Sequence, residues 1–136
     1  MLRARVGFHI DEAHRLVTVR YVGAICGDEI VPRMEAAYRA LDRAWRYDCI
    51  HDLRRHTGRM DIRDNEALAE CWHEVAGGRD VGRCTAIVSS DPLVDARLPL
   101  TQKLFPFRSL AVFGTLEAAR SWIETVRAEA EATSVA

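Results

Sequence analysis

The sequence predicts one α/β domain, a two-layer or sandwich arrangement of about four helices on a five-stranded, mostly parallel sheet, in the order ββαβαβαβα. Three observations carry this. Short apolar or alternating runs recur between longer stretches whose apolar residues repeat every three to four positions, the pattern of strands joined by helical crossovers. The first two runs are separated only by a polar pentapeptide, so the first strand is antiparallel to the second. A length of 136 residues suits one domain, and 49% apolar residues are enough for a core while excluding a disordered or collagen-like chain.

Each element follows from its residues. Residues 4–10 and 16–22 form a hairpin whose turn is Asp11-Glu12-Ala13-His14-Arg15. Gly23 and Gly27 break the second strand, and Asp28 is placed to cap a helix bearing Ile30, Met34, Ala37, Tyr38, Leu41 and Trp45 at 3.6-residue spacing. Pro32 is expected in the first turn, because a deeper proline loses a hydrogen bond and collides with the carbonyl four residues back. Residues 47–53 read as a short strand, and Arg54-Arg55-His56-Thr57-Gly58-Arg59 as a loop. The second helix, over about 62–76, lines up Leu68, Cys71, Trp72 and Val75 and stops at Gly77-Gly78.

Residues 84–90 are a buried strand, and Asp91-Pro92 opens a third helix that Pro99 and Pro106 keep short or kinked. Residues 107–113 are the last strand. Thr115 caps a final helix carrying Leu116, Ala119, Ile123 and Val126. The domain is expected over 1–130, with 131–136 as a frayed tail.

This order, with Asp11-Glu12-Ala13-His14-Arg15 in the hairpin, Asp52-Leu53 ending the third strand, and the run from Val112 to Ile123 with its Trp122-Ile123 pair, resembles the SpoIIAA-like branch of the STAS superfamily. The resemblance implies a regulatory module that binds a protein partner, switched by phosphorylation of a Ser or Thr just after an Asp, where the next helix starts. Asp52-Leu53 matches the start of that signature, but Arg54 stands at the hydroxyl position and Thr57 is the nearby alternative. The resemblance also extends to lipid-carrying Sec14-type domains, which implies an apolar ligand as a second role.

Composition and motifs exclude several classes. A net charge of -1 removes the broad cationic field of a non-specific nucleic-acid binder. No apolar run approaches the roughly 20 residues of a membrane span, and the amino terminus lacks a secretory apolar stretch, so a cytoplasmic protein is expected. Cys26, Cys49, Cys71 and Cys84 form no C-x-x-C, and reduced thiols are expected. Cys49-x-His51 falls on one strand face and Cys71-x-His73 on diverging sides of a helix; neither finds further ligands at metal spacing, so no metal and no cofactor is expected. Ser89, Ser90, His51, His56 and Asp52 supply hydrolase residue types, but there is no G-x-S-x-G, G-x-G-x-x-G or Walker loop, and an enzyme is not expected.

The candidate site is the carboxyl end of the third strand: Asp52, Arg54, Arg55, Thr57, Gly58 and Arg59, with Arg63 beyond. Ligands of open α/β sheets bind at such crevices, and forked guanidinium hydrogen bonds suit a phosphate, a carboxylate or an acidic partner surface. The plain alternative is a solvated loop with its arginines paired to Asp52, Asp61, Asp64 and Glu66. Phe105 and Phe107, flanking Pro106, are candidates for an apolar pocket or simply a tight strand entry. Trp45, Trp72 and Trp122 are expected to anchor the core, with a pocket or dimer face as alternatives, and a second copy of the chain is one candidate partner.

Overall fold

The computed structural model describes residues 3–135. Strands β1 (Arg5–Asp11), β2 (Leu16–Gly23), β3 (Asp48–His56), β4 (Cys84–Val88) and β5 (Ser109–Phe113) form one sheet in the order β1-β2-β3-β4-β5. β1 is antiparallel to β2, and the other neighbours are parallel, as the polar turn and the helical connections dictate. Helices α1 (Gly27–Ala40), α2 (Ile62–Ala76), α3 (Pro92–Leu104) and α4 (Leu116–Val135) complete the ββαβαβαβα order.

The two faces of the sheet are covered differently. Successive strand side chains point to opposite faces, and on one face Ile50, Cys84, Ala86 and Val88 meet Ala119 and Ile123 of α4. The small Ala86 and Ala119 let helix and sheet approach closely. Asp48, 1% exposed, ties this face together, accepting hydrogen bonds from the Cys84 N–H and from Arg127 Nε of α4, both at 2.7 Å. On the other face Val19, Tyr21 and Leu53 look towards Ile30 and Met34 of α1 and Leu68 of α2.

Several local expectations need correction. Helix α1 starts at Gly27 with Cys26, not Asp28, at its N-cap, so Pro32 is its sixth residue rather than in the first turn. The carbonyl that loses its donor is that of Asp28; both Asp28 and Pro32 are exposed, so water serves it. The helix ends at Ala40, leaving Leu41 at the C-cap and Trp45 in a short 3-10 turn, Ala44–Arg46. As expected, α3 is short, 13 residues against 14, 15 and 20 for the other three helices, and it contains Pro99, with Asp91 accepting from the Leu93 N–H at its start. Asp95, whose carbonyl Pro99 leaves free, is again exposed. At the carboxyl end α4 runs to Val135, so helix continues past the boundary expected at 130.

The stops and caps of α2 and α4 follow their residues. Gly77 takes the left-handed conformation, φ 56°, that ends α2. The Thr115 hydroxyl accepts from the Ala118 N–H at 3.1 Å and caps α4. Trp72 is in the core and Trp122 packs against Phe113, their ring centroids 5.4 Å apart.

Candidate functional site

β3 is longer than its apolar run, because residues 54–56 continue to pair with β2. Val22 lies opposite Arg55 and Gly23 opposite His56, after a register shift beyond Arg20. Arg54 and Arg55 are therefore strand residues at a bulge, not part of a loop. Such a bulge turns the side chains beyond it. Asp52 lies on the α4 side of β3, alternating with His51, and Arg54 folds back on it, Nε and Nη2 each donating to a carboxylate oxygen at 2.9 Å. That forked contact from Arg54 holds the Asp52 carboxyl below its ordinary range, and Arg54 is committed to it.

The connection that follows, Thr57 to Arg59, turns to the opposite side. Thr57 N–H donates to the Gly23 carbonyl and Arg59 carbonyl accepts from Gly27 N–H, so the segment lies along the β2–α1 connection. Gly58 is required there: a Cβ would collide with the backbone carbonyl of Ile25. Asp61 and Asp64 form a reciprocal capping box at the start of α2. The proposed cluster is thus divided between two faces, with Asp52, Arg54 and Arg55 apart from Thr57, Gly58 and Arg59.

The latter three border a cavity of about 1300 Å³ between the sheet and helices α1, α2 and α3. Small-molecule pockets are typically about 300–1,000 Å³. Its wall includes Tyr21, Met34, Leu53, Leu68, Ile87 and Phe105. The hollow has a cause in the side chains. Cys49 and Thr85 from the central strands, and Ser89 just beyond β4, face it and are too short to fill the gap, while α3 contributes no buried residue. Phe105 lies in the wall, whereas Phe107 lies outside it, 46% exposed, against Gly78 and the His73 ring.

A polar chain crosses the cavity wall. Tyr21 hydroxyl and His51 Nδ1 share a hydrogen bond of 2.8 Å, and His51 Nε2 lies 3.4 Å from Cys49 Sγ. Burial, assisted by the Arg108 guanidinium, pushes His51 down to about 4, so the imidazole is neutral at pH 7. Burial also pushes the Cys49 thiol up to about 12, and the Tyr21 hydroxyl rises well above its usual range. A protonated thiol beside a neutral imidazole is the opposite of an activated Cys–His pair. The other hydrolase residue types are separated: Asp52 is across the sheet, His56 Nε2 is 2.7 Å from the Ile25 carbonyl, and Ser89 Oγ accepts from Asp91 N–H.

Arg108 was missed as a site residue, although a charged residue leading into the apolar run 110–113 is a signal. Lying just before β5, it is 8% exposed, borders the cavity, and donates through Nη2 to the carbonyls of Tyr47 and Cys84 at 2.8 and 3.2 Å. Its Nε is 3.9 Å from Asp80 Oδ2, which accepts a hydrogen bond from Trp72 Nε1 at 2.9 Å. No helix among the described residues is long and apolar enough to cross a membrane.

No protein-family model and no curated protein matches the sequence. Solved structures do match in shape. A Shewanella loihica protein of the DUF3478 family, with a SpoIIAA-like fold, is similar at 13% identity and TM-score 0.55 over 88% of this chain and 92% of that one. The Bacillus cell fate determinant SpoIIAA, in its phosphorylated form, is similar at 14% identity and TM-score 0.51 over 88% and 99%. An anti-sigma factor antagonist from Mycobacterium paratuberculosis is similar at 16% identity and TM-score 0.54 over 88% and 95%. Element order, sheet topology and these likenesses agree: the chain has a SpoIIAA-like fold.

Proposed function

We propose that the protein is a non-catalytic, cytoplasmic binding module that carries or senses a small, largely apolar molecule held between the sheet and helices α1–α3. The observation that carries this reading is the cavity of about 1300 Å³, walled by Leu53, Leu68, Ile87 and Phe105. Leaving such an apolar space empty forgoes the contacts that a close-packed interior supplies, and a ligand restores them. The neutral His51 and protonated Cys49 favour holding a ligand over attacking one. Native mass spectrometry of the protein purified from its own host tests this: an added mass that disappears on denaturation is expected. Protein without added mass, combined with unchanged binding of apolar probes after Ile87→Trp fills the cavity, would refute it.

A second reading is a phosphorylation-switched interaction module. It is favoured by the exposure of Thr57 between β3 and α2, and by likeness to a phosphorylated SpoIIAA and an anti-sigma factor antagonist. Pull-down with phosphosite mapping separates the two. A Thr57 phosphate that changes partner capture supports the switch, and its absence under all growth conditions counts against it.

A further inference from the structure

We propose that β1 pairs edge to edge with β1 of a second copy of this chain, antiparallel across a two-fold axis at Phe8, so that two five-stranded sheets become one continuous sheet. The two edges of the sheet are finished differently. At β5 the Gln102 side chain of α3 stands in for a further strand: its Oε1 accepts from the Leu110 N–H at 3.0 Å and its Nε2 donates to the Arg108 carbonyl at 2.7 Å. At β1, among the described residues, no backbone group bonds outside the β1–β2 ladder. The usual protections of a bare edge are also missing. Its seven residues include no proline and no lysine, and the register shift of this sheet lies between β2 and β3.

The occupant follows from the strand itself, which is self-complementary. About Phe8, an antiparallel pair sets Arg5 opposite Asp11 of the second copy, Val6 opposite Ile10, Gly7 opposite His9 and Phe8 opposite Phe8. Opposite charges, two β-branched side chains and two aromatic rings are favourable cross-strand pairs. At Gly7 nothing lies within 4 Å of where a Cβ would stand, which leaves room for the facing imidazole. Asp11 already accepts from the His14 N–H and contacts His14 Nδ1, but a carboxylate offers about four lone-pair sites, and this one is partly exposed. Moving the axis to Gly7 leaves Asp11 outside the pairing, and moving it to His9 leaves Arg5 outside. Only the Phe8 axis matches both charges and uses the whole strand.

The faces agree with this pairing. Val6, Phe8 and Ile10 point to one side of the sheet, and Phe8 and Ile10 are 37% and 46% exposed, apolar surface that a second strand helps to cover. Both residues border the cavity, so the pairing brings Phe8 and Ile10 of the second copy to its outer rim. A net charge of -1 on each copy opposes the approach only weakly.

Sedimentation equilibrium of the 136-residue chain at pH 7, with no ligand added, tests the proposal. Wild type should show a reversible dimer with a Kd on the order of 10 μM, weak because one strand pair falls below the roughly 1,200 Å² of a standard interface. Arg5→Asp and Asp11→Arg should each weaken it by about tenfold or more, since each sets like charges opposite one another twice. Mixing these two variants should restore a dimer, because every facing pair is then of opposite sign, and Arg5→Asp with Asp11→Arg in one chain should restore it too. If Asp11→Arg, which removes the contacts to His14, does not fold, Phe8→Lys takes its place and should weaken the dimer by a similar factor. Ser109→Asp, on the edge that Gln102 occupies, should leave the Kd unchanged. Wild type still monomeric at about 1 mM, a dimer indifferent to Arg5→Asp or Phe8→Lys, a mixture of folded variants that stays monomeric, or a dimer lost with Ser109→Asp would each overturn the proposal.

Discussion

The two faces of the sheet carry similar strand residues yet reach different solutions. On the α4 face Ile50, Ala86 and Val88 are all 0% exposed, and Ala119 brings the helix down upon them. On the opposite face Thr85 and Ile87 alternate with Ala86 and Val88 along β4, but α1, α2 and α3 arch over a cavity. The difference is where the small residues lie. Alanine on both partners permits close approach, whereas small side chains on the sheet opposite the bulky Met34, Tyr38 and Trp72 leave space. One face therefore serves stability, and the other can trade some packing for a binding site.

The largest test of this contrast truncates one isoleucine on each side. Ile50→Ala should cost about 2–5 kcal/mol, as for other closely packed core sites, while Ile87→Ala should cost less than half as much because its surroundings are already hollow. Urea denaturation of both variants measures this, and equal losses would mean that the faces are packed alike. Next in size is the rim. Gly58→Ala forces the Ile25 backbone to move and should cost about 1–3 kcal/mol by the same measurement.

The pH dependence separates the faces further. His51 titrates near 4 in the folded protein against an ordinary 6.5, so between those values the unfolded chain binds more protons. Stability is then complete at pH 7 and falls as the pH drops from about 6.5 to 4, by on the order of 1–3 kcal/mol. His51→Gln should flatten that slope in denaturation series across the interval. The smallest effect lies on the other side of the sheet. The depressed Asp52 carboxyl contributes above its unfolded value of about 3.9 and loses that contribution as pH falls through its folded value. Because Arg54 is half exposed, Arg54→Ala should cost less than about 1 kcal/mol, and only while Asp52 is ionised.

Much of the framework was legible because it depends on neighbours in the chain. The alternation in β2, the 3.6-residue stripe of α2, its Gly77 stop and the Thr115 cap are all local signals. The departures have local causes that only the fold reveals. Pro32 lies deeper in its helix than expected because the carbonyl it orphans, that of exposed Asp28, faces water. Arg54 and Arg55 belong to β3 because β3 takes up one extra residue between Asp52 and Arg55 and then resumes pairing with Val22 and Gly23 of β2.

The site was less legible than the fold. Asp52, Arg54, Arg55, Thr57, Gly58 and Arg59 are contiguous in sequence and suggested one cluster, but strand alternation and the bulge send them to different faces. Conversely Tyr21, His51 and Arg108 come from three strand regions, and no spacing rule links them. Sequence alone determined the order of elements, the antiparallel entry and the single-domain scale, since these follow from periodicity, turn chemistry and length. Only the tertiary structure decided that the helices stand off one face, that Arg108 is buried against the resulting hollow and that Phe105 rather than Phe107 borders it, because a cavity is the space left between residues far apart in the chain.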